Sequence, residues 1–73
     1  MLEEKPARRR SPTAAEMLRS SRKALGLTQQ EAAARVGVAK SSYCAYETGS
    51  QIPRISVARK IKERFNVPVE KWA

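Results

Sequence analysis

The 73-residue sequence predicts an all-α fold of short consecutive helices, and three observations carry that prediction. Gly26, Gly37 and Gly49 each follow a stretch of helical periodicity, where a left-handed residue ends a helix without a Cβ penalty. Thr28-Gln29-Gln30-Glu31 has the Ser/Thr-x-x-Glu spacing of a capping box, in which the two side chains satisfy free N–H groups reciprocally. Between these marks the apolar residues recur at spacings of three and four.

Taken in order, the chain divides at Pro12. Met1 to Pro12 holds Lys5, Arg8, Arg9 and Arg10, prolines at 6 and 12, and almost nothing apolar, so residues 1–12 are expected to form a flexible basic N-terminal arm. Two uses fit such an arm: a solvated tail, or a segment that follows phosphates and enters a minor groove. Residues 13–73 form the predicted helical domain. Thr13 caps a first helix with Ala14, Leu18, Ser21 or Arg22, and Leu25 facing inward, and Gly26 stops it. Thr28 caps a second, with Ala32, Ala33 and Val36 inward and Leu27 as a hydrophobic staple before the cap.

A third helix is predicted from about Lys40 to Thr48. At 100° per residue Tyr43, Tyr46 and Glu47 point one way, while Ser41, Cys44, Ala45 and Thr48 point the other at i, i+3, i+4, i+7. One face is large; the opposite is small and polar, short enough for a backbone to approach another molecule closely. After Pro53, Ile55, Ala58, Ile61 and Phe65, joined by Val57, give a fourth helix ending at Asn66, and Pro68 opens a last turn with Val69 and Trp72. Arg59, Lys60, Lys62 and Arg64 form its solvated side. A capped helix, a glycine turn and a second short helix make a helix–turn–helix arrangement of the second and third helices.

Composition excludes most chemistry. With one cysteine, no histidine and no aspartate, neither a disulfide framework nor a Cys/His zinc site can be built within one chain, and seven glutamates are the only acidic side chains. No catalytic residues, cofactor or metal are expected. Fifteen Lys and Arg give a net charge of +8, the balance of a chain that meets a polyanion. No apolar run approaches a membrane span, the basic N-terminus is not followed by a signal-peptide core, and the unpaired thiol suits a reducing interior, so a cytoplasmic location is expected.

From Leu18 to Trp72 the chain resembles the helix–turn–helix family of phage Cro and repressor proteins and the Xre-type bacterial regulators. The resemblance rests on Arg22, Gly26-Leu27-Thr28-Gln29, Ala33, Gly37-Val38, Glu47-x-Gly49, Pro53, and the closing Phe65, Val67, Val69 and Trp72, all in order at the family spacings. It implies a compact five-helix bundle of the lambda-repressor-like DNA-binding type, with the third helix entering a major groove. It further implies a sequence-specific regulator of transcription that binds double-stranded DNA as a nucleoid-associated homodimeric repressor on a palindromic operator. Two alternatives use the same fold: an antitoxin with a toxin partner or a restriction–modification controller protein, and an assembly domain that does not touch DNA.

Residue roles follow from the same resemblance. Arg22 and Glu47 match a structural ion pair between the first and third helices. Thr28 and Gln29 at the start of the second helix, with Thr48 and Arg54 near the following loop, match DNA phosphate contacts. Base contacts fall to Lys40, Ser41, Cys44 and Ala45: lysine can donate to guanine and alanine can sit against a thymine methyl. No Gln, Asn or Arg occupies the third helix, so Lys40 is expected to carry most direct readout, with DNA shape and Arg8, Arg9 and Arg10 of the arm supplying the rest. Val67, Val69 and Trp72 are the candidate dimer interface, the alternative for Trp72 being a core role.

Three departures from the family pattern matter. Ala39 stands where a Ser or Thr cap is common, so the third helix is expected to lack that cap or to begin nearer Ser41. Ala32 replaces a usual leucine, while Tyr43 and Tyr46 replace smaller residues, a volume compensation that requires both rings to be buried. Cys44 is a small side chain suited to a tight groove; its alternative is an oxidation switch whose adduct would block docking.

Overall fold

Four α-helices follow one another in residues 13–72, the part of the chain that this computed structural model describes. Helix α1 spans Ala14–Ala24, α2 Gln29–Val36, α3 Lys40–Thr48 and α4 Ile55–Phe65, followed by a 3-10 turn, Val69–Trp72. The Thr28–Glu31 box closes as expected, with Glu31 N–H donating to Thr28 Oγ1 at 3.1 Å and Thr28 N–H donating to Glu31 Oε1 at 2.8 Å. Thr13 and Glu16 close a second box at the start of α1. The α2–α3 and α3–α4 connections turn on Gly37 and Gly49, at φ 74° and 83°, and α4 ends on a left-handed Asn66 at φ 59°.

The fifth helix is a single turn. Four residues after Pro68 are too few to stabilise an α-helix, and the Lys71 N–H donates to Pro68 O at 3.0 Å in the tighter i→i+3 pattern. Helix α3 packs against both α1 and α2, and α4 closes the other side against α1, α2 and the final turn. Leu18, Val36, Tyr43, Ile61 and Val67 are fully covered, and the small Ala32 and Ala33 on α2 are buried with them.

Both tyrosine rings are buried, as volume compensation requires. Tyr43 lies 6.4 Å from the Phe65 ring, and Tyr46 meets Trp72 edge-on at 6.3 Å. These aromatic neighbours belong to α4 and the closing turn. Two expected inward residues face solvent. Leu25, 56% exposed, sits on the C-cap of α1, past the last turn that another helix covers. Ile55, 59% exposed, opens α4 a full turn ahead of Ala58, its first buried residue. Residues 1–12, the predicted basic arm, lie outside the described residues.

Candidate nucleic-acid interface

Helix α3 separates into the two faces predicted for it. Tyr43, Tyr46 and Glu47 are buried, while Lys40, Ser41 and Thr48 are exposed and Cys44 and Ala45 half-buried on the opposite side. The helix begins at Lys40 although Ala39 gives it no side-chain cap, so packing of its buried face, not a local signal, fixes its start. No long side chain rises between Ser41 and Thr48 on the outward stripe. Lys40 therefore stands as the cation at the leading end of a low, polar surface.

A buried polar knot holds that surface in place. Arg22 Nε of α1 donates to Glu47 Oε2 of α3 at 2.6 Å, and Arg22 Nη1 donates to Leu27 O at 2.9 Å. Side-chain exposures of 13% for Arg22 and 2% for Glu47 leave this pair little access to solvent. Burial alone would raise the Glu47 carboxyl, but the hydrogen bond from Arg22 and the approach of Tyr43 and Gln29 hold it below the usual carboxylate range. The hydrogen bond to Glu47 likewise raises the Arg22 guanidinium. Tyr43 faces the same pair; burial first, then the neighbouring Glu47, pushes its phenol far up, and its hydroxyl meets no partner in hydrogen-bonding geometry.

Gln29 belongs to this knot too. Its Nε2 donates to Glu47 Oε1 at 3.2 Å, an assignment that a sequence separation of 18 residues hides. The side chain expected at a phosphate is thus shared with the core, leaving the free backbone N–H groups at the start of α2 as the better oriented donors there. Thr28 is exposed, and its hydroxyl accepts from Glu31 N–H while keeping its own proton to give.

The loop after α3 is tied to one carbonyl. Ala45 O accepts the backbone N–H groups of Gly49, of Ser50 at 3.0 Å and of Gln51 at 3.3 Å. Thr48 Oγ1 donates to the same oxygen at 3.1 Å and lies 3.0 Å from Ser50 Oγ. Ser50 Oγ also points at Ala45 O, at 3.4 Å, so both hydroxyls are engaged in closing the end of α3. Arg54 is exposed at the N-cap of α4, with no side-chain cap and no acid in the following turn.

The C-terminal candidates for a dimer surface divide. Val67 is fully covered and Trp72 is 7% exposed, so both serve the core and have no face to offer a second copy; Val69 alone is partly exposed. That is a correction, and its cause is the single closing turn, which folds its apolar residues back on Tyr46 and α4. A shallow depression of about 300 Å³ beside it is rimmed by Thr48, Ile52, Lys71 and the start of α1. Among the described residues there is no group of acidic or cysteine side chains that would hold a metal, and no helix is long and apolar enough to cross a membrane.

Fold and site together define a helix–turn–helix domain: a low, cation-led helix held on a braced frame by its preceding helix and a glycine turn. A helix–turn–helix family model matches residues 18–72, and the chain belongs to that family. It is similar to the cryptic phage CTXphi transcriptional repressor RstR of Vibrio cholerae, 40% identical over 43 residues, which is 59% of this chain and 39% of that protein. It is also similar to an uncharacterized HTH-type transcriptional regulator of Methanothermobacter thermautotrophicus, 44% identical over 45 residues, 62% of this chain and 65% of that protein. The matched stretches thus span less than two thirds of either relative. No solved structure matches the chain.

Proposed function

We propose that this chain is a sequence-specific regulator of transcription that binds double-stranded DNA as a homodimeric repressor, with α3 in the major groove of a palindromic operator. The observation that carries the proposal is the outward stripe of α3, Lys40, Ser41, Cys44 and Ala45, low and polar and fixed by the buried Arg22–Glu47–Gln29 knot. Lys40 donates to a guanine edge, Ser41 and Cys44 allow close approach, and Ala45 meets a thymine methyl. Backbone donors at the start of α2, with Thr28 and Arg54, hold phosphates on either side. Arg8, Arg9 and Arg10 add contacts from the arm. Two copies double a readout that one nine-residue helix limits to a few base pairs. The printed name of the Vibrio cholerae relative, a phage transcriptional repressor, supports repression over activation.

A gel-shift series on random-sequence duplex DNA across salt tests it. Binding should weaken by roughly 0.9 log unit per log unit of salt for each phosphate contact, and sequences selected from that pool should be two-fold symmetric. No binding at low salt would refute the proposal.

A further inference from the structure

The depression at the end of α3 is built from small residues. Ala14 and Ala15 of α1 and Gly49 line it, with the core residue Trp72 behind them, and a Cβ on Gly49 would meet nothing within 4 Å. On its rim stands Ile52, 68% exposed, the most exposed large hydrophobic side chain among the described residues. The rim is pinned, because the backbone N–H groups of Gly49, Ser50 and Gln51 all close on Ala45 O. An apolar hollow and an apolar projection thus lie side by side on one face, as a self-complementary two-fold contact requires.

We propose that this face is the contact between two copies of the chain, with Ile52 of each copy entering the depression of the other. This names the surface of the homodimer proposed above and rests on that reading.

Charge selects a second copy over other occupants. Glu16 and Glu70, both exposed, are sequence neighbours of the lining residues Ala15 and Lys71, so both signs flank the depression. Two carboxylates there disfavour a DNA backbone, whereas a two-fold axis turns Lys71 of each copy toward the partner's acidic flank. The hollow, about 300 Å³, is shallow, so a small molecule would stay largely in water. Thr48, the last residue of α3, lies on the same rim. The axis therefore sets the two α3 helices at their Thr48 ends, with Lys40 of each directed outward to its own half-site. One isoleucine and one shallow hollow per copy fall short of the roughly 800 Å² per partner of a stable complex. Pairing is accordingly weak for the free chain and strengthens when DNA holds two copies side by side.

Sedimentation of the full chain over a concentration series reads the contact without DNA. The wild type should self-associate reversibly, and Ile52→Ser should weaken the dimer about a hundredfold, roughly tenfold for each of the two symmetry-related isoleucines. Ala15→Leu, which fills the depression from within, should weaken it as well. The double variant Ile52→Ala/Ala15→Leu should recover most of that loss, because each filled hollow then faces a shortened side chain. Leu25→Ser, at the far end of α1, should associate as wild type. Circular dichroism and melting temperature should be those of the wild type for Ile52→Ser and Leu25→Ser, since both side chains are exposed. On duplex DNA selected by the wild-type protein, Ile52→Ser should lose cooperative filling of two half-sites yet bind a single half-site as tightly as wild type. Unchanged self-association of Ile52→Ser, or a wild-type chain that stays monomeric at millimolar concentration, would overturn the inference. So would an equal loss of affinity on a single half-site, which would make Ile52 a DNA contact. Failure of the wild-type chain to bind DNA, with self-association still sensitive to Ile52→Ser, would instead sink only the regulatory reading.

Discussion

The beginnings of α1 and α2 differ from those of α3 and α4. Each of the first two is closed by a Thr–Glu box, in which a threonine hydroxyl and a glutamate carboxylate satisfy donors at both sides of the cap. The second two start on Ala39 and Arg54 with no side-chain cap and no acid in their first turn. Helices that frame the domain carry their own start signals; the helices bearing the proposed base and phosphate contacts are placed by packing. For α3 that packing is the Tyr43, Tyr46 and Glu47 face, and Glu47 is its polar anchor. An acidic cap at Ala39 or Arg54 would stabilise the domain and, on the proposed reading, repel the phosphates beside it.

The largest expected effect removes the anchor. Glu47→Ala leaves Arg22 buried without its partner, and Arg22→Ala does the reverse; each should cost about 3 kcal/mol or more. A domain of this size has only a few kcal/mol to lose, so thermal denaturation followed by circular dichroism should find either variant largely unfolded at 37 °C. A cooperative transition near the wild-type temperature would show that α3 does not depend on the knot.

pH should report the same anchor from both sides. The folded Glu47 pKa is depressed, so its stabilisation is complete above the ordinary value of 4.5 and is lost as pH falls through the lower folded value. The folded Tyr43 pKa is raised, so its contribution is complete below the ordinary value of 10.0 and is lost as pH rises beyond it. Melting temperature should therefore hold a plateau between these limits and fall outside them. Tyr43→Phe should remove the Tyr43 contribution to the alkaline loss.

The caps give smaller, opposite effects. Thr28→Ala should lower stability by about 1 kcal/mol, and Ala39→Asp should raise it by a similar amount, both read from denaturant midpoints. The comparison sharpens if Ala39→Asp also weakens DNA binding, and it fails if the added cap leaves stability unchanged.

Much of the fold was legible because its signals are local. Thr28 with Glu31, the glycines and Asn66 act within a few residues of themselves, and the Thr13–Glu16 box could have been read from the same spacing. Leu25 and Ile55 were misjudged because apolar periodicity runs on to helix ends where no neighbouring element remains to cover it. For Trp72 the core alternative holds, while Val67 looked available to a partner because sequence shows apolar character but not which residues the closing segment covers. Tertiary contacts were the least readable: nothing near Gln29 announces Glu47, 18 residues away. On the candidate interface, the periodicity of α3 exposed the outward stripe.

Lys40 tests the central claim most directly. On DNA selected by the wild-type protein, Lys40→Ala should bind far more weakly, whereas on scrambled DNA its loss should be only that of one cation, so the specificity ratio should fall by roughly ten- to a hundredfold, about 1–3 kcal/mol. Equal weakening on both DNAs would make Lys40 a phosphate contact and contradict the assignment of base reading to the leading end of α3.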